Sequence, residues 1–208
     1  MLIIHLGMTG NLGFFAPNSE PAKHDHLRWT LDNGTELRYN DSRRFGSIQI
    51  LAAHETANLE ETVFKTTGPE PFGSDFSAEY LLRLAKGRDL PIKAFIMTTQ
   101  VVAGVGNIYA NESLFRAGIS PTRKINSINR KDWVRLIAAI REILQHAIEC
   151  GGSTISNFIN ARQEKGYFQV NFQVYGKEGK ICPTCQQAKI EKIRLTGRAS
   201  YFCPRCQR

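Results

Sequence analysis

Four of the five cysteines stand in two C-x-x-C pairs, Cys182-Pro-Thr-Cys185 and Cys203-Pro-Arg-Cys206, with seventeen residues between them. No other feature restricts the fold as much as this spacing. Each pair suits a tight turn that points both sulfurs inward, and two such turns can close a tetrahedral S4 site. Four thiolates leave no open position for water. The expected cofactor is therefore one structural Zn2+ ion held by Cys182, Cys185, Cys203 and Cys206. Thioredoxin-type redox chemistry is the weaker reading, because two paired C-x-x-C turns in a basic ribbon are unusual for it. A module of about thirty residues cannot bury enough surface to stand alone, so the metal also does folding work. Cys150 is left over, at a helix end, and reads as a small buried residue.

The charge points the same way. The chain has a net charge of +8, and residues 177–208 hold eight cations against only Glu178 and Glu191, a local +6. Cations gathered in one small module make a nucleic-acid footprint. The apolar stretches are too short to cross a membrane as a helix. Met1 to Leu6 lacks the basic flank and cleavage site of a signal peptide. Cysteines paired for metal suit a reducing cytosol better than secretion.

Hydrophobic residues make up 42% of the chain, enough for packed cores in one large or two small domains. Residues 1 to about 55 read as strands: Leu2 to Leu6, His26 to Asp32, Thr35 to Asn40 and Phe45 to Leu51. Asn33-Gly34 is expected to turn a hairpin with both residues at positive φ. From about residue 77 the period becomes helical, over Ala78 to Lys86, Ile92 to Met97 with Pro91 in its first turn, Asn107 to Ala117, and Arg130 to Cys150. The last carries an apolar stripe of Trp133, Leu136, Ile137, Ile140, Ile143, Leu144, Ala147 and Ile148. Asn129 is its expected cap and Gly151-Gly152 its stop. Residues 151–173 are polar and aperiodic, and read as a loop.

Two further groups carry chemistry. Gly104-Val-Gly106-Asn107 opens a helix whose free amides favour an anion, and its glycines let a phosphate backbone come close. The plain alternative is a helix corner with Asn107 as an ordinary N-cap. His5, Met8, Arg43, Arg44 and Phe45 form a scattered set in which an apolar wedge lies beside an arginine. A protein that extrudes a base needs such a pair: the wedge fills the gap in the stack and the cation meets the orphaned partner. A surface arginine pair beside a core phenylalanine is the bland alternative.

Taken in order, His5-Leu-Gly-Met-Thr-Gly10, Lys23-His-Asp-His26, Asp41-Ser-Arg-Arg-Phe-Gly46, Gly68-Pro-Glu-Pro71, Gly104-Val-Gly-Asn-Ile-Tyr109, Gly166-Tyr-Phe168, Val174-Tyr-Gly176 and the cysteine ribbon resemble the formamidopyrimidine-DNA glycosylase family. The related endonuclease VIII shares the ribbon and the helix-two-turn-helix, but generally lacks the Met and Arg-x-Phe set. The resemblance implies an α+β fold. Residues 1–58 would be the C-terminal part of a catalytic β-sandwich, hence a partial one. Residues 59–152 would be a helical helix-two-turn-helix domain, 153–176 a lesion-recognition loop and linker, and 177–208 a zinc-ribbon finger. It implies a monomeric base-excision repair enzyme of the bacterial cytoplasm, associated with the nucleoid. Its partner would be double-stranded DNA with a damaged base or an abasic site. It would release oxidised purines (formamidopyrimidine, 8-oxoguanine) as a glycosylase and cut the strand as an AP lyase.

Roles follow from the same resemblance. Met8, Arg43 and Phe45 would fill the void left by the flipped base. His5, His24, Asn107 and Arg198 would hold phosphates or the damaged strand, with Arg88 a further DNA contact. Arg198 would also donate a proton in the second elimination, and residues 153–168 would close over the base. The family's nucleophile is an amino-terminal proline, assisted by a glutamate and a lysine, all upstream of the segment matched here. A polypeptide of these residues alone is thus expected to fold marginally over residues 1–55 and to bind damaged DNA weakly without excising the base. The rival from another class is a catalytically silent zinc protein that binds damaged DNA. A generic zinc-ribbon transcription factor would explain neither Met8 nor the Arg43–Phe45 pair.

Overall fold

The computed structural model describes residues 1–56, 59–152 and 168–208. The expected lesion-recognition loop, up to residue 167, lies outside the described residues. The chain divides into two compact units, Met1–Val63 with Ala147–Asn171, and Phe64–His146 with Phe172–Arg208.

In the first unit β1 (Leu2–His5) pairs antiparallel with β5 (Ser47–Ile50), and Met1 and Leu51 extend the ladder by exchanging both backbone bonds. A second sheet has the order β2 (Asn11–Phe15), β4 (Glu36–Asn40), β3 (Asp25–Thr30), all antiparallel. Strand β2 has no signature in the sequence: Asn-Leu-Gly-Phe-Phe has a central glycine and adjacent aromatics, so no clean alternation shows. Gly13 lies opposite Arg38, leaving that place in the pleat without a competing side chain. Arg38 is 1% exposed. Its guanidinium pairs with Glu36 and Asp25, donates to the Ser19 and Glu20 carbonyls, and lies over the Phe15 ring. A buried cation is tolerable only with this degree of pairing.

The β3–β4 turn corrects the expectation. Gly34 donates to the Leu31 carbonyl and Leu31 to that of Thr35, giving a three-residue loop, Asp32 to Gly34. Only Gly34 has positive φ, +81°. The Asn33 side chain instead accepts from the Thr35 amide and hydroxyl, which fixes Asn33 in an ordinary turn conformation.

The second unit holds the main core. Helices α2 (Ala78–Ala85), α3 (Ile92–Ile96), α4 (Asn107–Ala117) and most of α5 (Arg130–Glu149) follow a short α1 (Leu59–Thr62) that belongs to the first unit. Leu81, Ile92, Ile96, Leu114, Trp133, Leu136 and Ile140 are fully buried together. Asn129 caps α5 through the Asp132 amide, and left-handed Gly151 and Gly152 end it, both as the sequence indicates. The main core that the stripe faces ends at Leu144; Ala147 is still buried, and only Ile148 at the end of the expected stripe is exposed. Pro91 stands just before α3 as its N-cap, with extended ψ, not inside the first turn. The unit closes with a hairpin, β6 (Glu191–Leu195) and β7 (Arg198–Phe202). The architecture is mixed α and β, with helices and ribbon in one unit.

Candidate metal centre and nucleic-acid interface

The four paired cysteines meet at one point. Cys182 and Cys206 sulfurs are 3.8 Å apart, as are Cys185 and Cys203, and all four lie within 4.8 Å of one another. A tetrahedral S4 site with metal–sulfur bonds near 2.3 Å has edges of roughly 3.8 Å, so the cage has the right size. The amides of Ala188 and Gln187 donate to the Cys185 sulfur and hold its thiol at about 6. Amides of Cys206 and Arg205 point at Cys203 too, but burial outweighs them and pushes that thiol up, as it pushes Cys206 up to about 12. A cation among the four sulfurs would offset that cost, and the set could hold a metal ion.

The ribbon is seated on the helices by buried polar groups. Asn111 of α4 accepts the Tyr201 amide through its side-chain oxygen at 2.7 Å. Gln207 ties the Cys203 amide to the Ile119 carbonyl. Lys93 of α3, 1% exposed, donates to the Ala199 carbonyl and the Ser200 hydroxyl, each at 2.7 Å. Burial, and then the neighbouring Arg198 charge, lower its ammonium to about 8. Arg198 itself is exposed beside a tight turn in which Thr196 and Gly197 both have positive φ, the twist a two-residue hairpin needs.

At the start of α4, Gly106, not Asn107, is the N-cap, and no side chain caps the helix. Asn107 is thus free of the plain capping role. Its side-chain amide lies 3.5 Å from the Tyr175 hydroxyl, and the Tyr175 ring stacks edge-on against Tyr201 of β7. Gly104 needs its glycine for φ +74°, whereas Gly106 has a conformation any residue adopts. A Cβ at either would meet nothing within 4 Å, so the approach to the helix start is open. Tyr175 is a candidate anion ligand to which sequence reasoning gives no role, although it lies in the matched Val174-Tyr-Gly176 stretch. Its position beside Asn107 supplies the role.

Residues 173–175 are anchored to α4 by Glu112. Its buried carboxylate accepts the amides of Gln173, Val174 and Tyr175 at 2.8–3.0 Å. Burial pushes this carboxyl up, against the pull of the three amides and Lys177.

In the first unit the wedge set assembles. Met8 is 70% and Phe45 56% exposed, unusual for such large apolar side chains. The Arg43 guanidinium lies 4.5 Å from the Phe45 ring centre and 3.5 Å from the Met8 sulfur. Phe45 is therefore not a core residue. His5 ends β1, exposed, and half-buried His24 sits at φ +75° at the entrance to β3. Arg44 has φ +56°. Arg88 follows α2, exposed. Asp41, in sequence only a flank of the arginine pair, is fully buried. It accepts from Thr9, Tyr39, Gly46 and Arg43, and these bonds, Thr9 first, hold its carboxyl far below the usual range.

Comparison with known proteins agrees with this arrangement. Residues 1–48 match the formamidopyrimidine-DNA glycosylase N-terminal domain, and residues 67–159 the H2TH domain of the same family. The chain is 49% identical over 208 residues to a formamidopyrimidine-DNA glycosylase of Hydrogenovibrio crunogenus, covering all of this chain and 72% of that protein. It is 46% identical to one of Psychromonas ingrahamii over 99% of this chain and 74% of the relative. Among solved structures, Lactococcus lactis Fpg in complex with abasic-site DNA superposes with a TM-score of 0.89 at 36% identity, covering 100% of this chain and 74% of that one. Fpg (MutM) of Thermus thermophilus gives 0.86 at 38%, covering 99% and 75%. Among the described residues no helix is long and apolar enough to cross a membrane. With the wedge, the open helix start and the cysteine cage all lying on matched sequence, the chain belongs to the formamidopyrimidine-DNA glycosylase family.

Proposed function

We propose that this chain probes double-stranded DNA for damaged bases and abasic sites, as part of a base-excision glycosylase for oxidised purines. The Met8–Arg43–Phe45 group carries the reading. An apolar pair held out in water beside a guanidinium costs exposure without stabilising the fold, and suits insertion into a base stack. Solved relatives were captured on DNA containing Fapy-dG or an abasic site, which supports the substrate class. Arg198 and Asn107 hold the strand by its phosphates, with His5, His24 and Arg88 as further contacts. Zn2+ is the ion that suits four thiolates in a closed tetrahedron.

Binding to a duplex bearing a tetrahydrofuran abasic analogue, against the intact duplex, separates these roles. Arg198→Ala should weaken both and flatten the salt dependence by about 0.9 for each phosphate it no longer neutralises. Phe45→Ala should reduce the preference for the analogue and leave intact-duplex affinity near that of the parent. Equal losses on both duplexes for Phe45→Ala would remove the wedge from the account. An affinity insensitive to salt would do the same for the phosphate contacts.

The AP lyase step and the role of Arg198 as its proton donor belong to this proposal. The Pro69-Glu70 pair cannot supply the lyase nucleophile, since an internal proline nitrogen is an amide.

A further inference from the structure

We propose that Asp41 and Thr9 are positioning residues that lock the loops bearing Met8, His24, Arg43 and Phe45 into one rigid probe, so that lesion discrimination depends on a carboxylate that never reaches solvent. The inference rests on the lesion-probing function above and adds the device that makes it selective.

Each loop touches the same residue. One Asp41 carboxylate oxygen accepts the Thr9 hydroxyl, next to Met8, and the Arg43 amide at 3.3 Å. The other accepts the Gly46 amide at 2.8 Å, next to Phe45, and the Tyr39 hydroxyl at 3.1 Å. The Thr9 oxygen also receives the Arg43 amide, at 3.2 Å. Asp41 donates its own N–H to the His24 carbonyl at 3.1 Å, and its carbonyl meets the His26 ring at 2.8 Å. The four groups on the carboxylate are all neutral. A buried charge held only by fixed dipoles loses solvation that nothing replaces if any one loop swings away.

The backbones leave no slack either. A Cβ at Gly7 would stand 2.7–2.8 Å from the Phe45 carbonyl group, and one at Gly46 would overlap the Tyr39 hydroxyl. The two loops are thus in main-chain contact, with Gly7 at φ +61° and Arg44 at +56°. Locking matters because a wedge that flexes can adapt to any stack, whereas a rigid one enters only where the stack already yields. Damaged and abasic sites yield most easily.

Two conservative variants read the lock. Thr9→Val removes the hydroxyl at nearly constant volume. Asp41→Asn keeps the shape but turns one acceptor into a donor; hydroxyls can reverse to meet it, while the Arg43 and Gly46 amides cannot. In both, affinity for intact duplex should fall much less than the lesion preference does, because Arg198 and Asn107 lie outside the lock. Preference for the abasic analogue should fall by about tenfold, what one hydrogen bond to a charged group is worth. The fluorescence rise of 2-aminopurine placed beside the analogue, which reports unstacking, should fall with it, and Thr9→Ser should restore both signals. Wild-type preference in Thr9→Val and Asp41→Asn would overturn the proposal. Loss of intact-duplex affinity in equal proportion, with no rescue by Thr9→Ser, would overturn it as well, since that is general unfolding. Should the parent chain itself show no lesion preference, the functional reading fails first. Amide exchange at Arg43 and Gly46 then decides the lock without DNA: unchanged rates in Asp41→Asn would end it.

Discussion

Stripping the metal from the purified chain should abolish the ordered ribbon of residues 177–208, and with it most of the affinity for DNA, while the helical core survives. Apart from the polar seats at Lys93, Asn111 and Gln207, the ribbon has only a small apolar cluster to hold it. Its apolar cluster among the described residues consists of Phe115, Val174 and Ile190 together with the cysteines Cys182 and Cys203 themselves. A structural zinc site contributes an apparent 10–16 kcal/mol or so at neutral pH, far beyond what such a cluster provides. The helices are different, since Leu81, Ile92, Phe95, Trp133, Leu136 and Ile140 belong to a core whose residues include no cysteine. Chelation should therefore release one equivalent of zinc and raise amide exchange throughout β6 and β7. Helical circular dichroism should change little. Cys203→Ser should reproduce the chelated state. A purified chain with no stoichiometric zinc, or a ribbon whose exchange is unaltered after chelation, would defeat the assignment.

The second large effect is expected at Glu112. Replacing it with alanine strands three amides at once, and that of Val174 is fully buried and cannot turn to water. The loss should be about 2–4 kcal/mol, since each unsatisfied buried group costs about 1–3 and the outer two can hydrate. For a chain of this size that is a fall in Tm of roughly 5–15 °C. Glu112→Gln keeps one acceptor oxygen for Val174 and Tyr175 and should lose about a third as much. A Tm within a degree of the parent in Glu112→Ala would mean that the carboxylate is not the anchor. Because Tyr175 faces Asn107, the alanine variant should also weaken DNA binding at temperatures where it is fully folded.

The parts legible in the sequence are those with local signals. Helices α2 to α5 announce themselves by period and by Asn129 and Gly151-Gly152, and the cysteine cage by spacing. The wedge set is legible only through its resemblance to a known family, because Met8 and Arg43 are thirty-five positions apart. Strand β2 escapes, since pairing with β4, not alternation, defines it. Asp41, Glu112 and Lys93 escape for one reason. Each is an ordinary charged residue until its partners arrive, and for Lys93 the partner stands 106 positions away. A sequence window cannot distinguish such a residue from a solvated one. Residue type also misleads at the β3–β4 turn, where Asn33 uses its side chain instead of its φ tolerance.

The seat of Lys93 under β7 means that the ribbon is mounted at two points. The cysteine cage clamps the base of the hairpin, and an ammonium supplied by α3 props the strand immediately beside Arg198. Either fixture alone leaves a degree of freedom: without the clamp both strands come loose, and without the prop the tip pivots about a sound base. The aim of the guanidinium is therefore set by a helix that need never touch the nucleic acid.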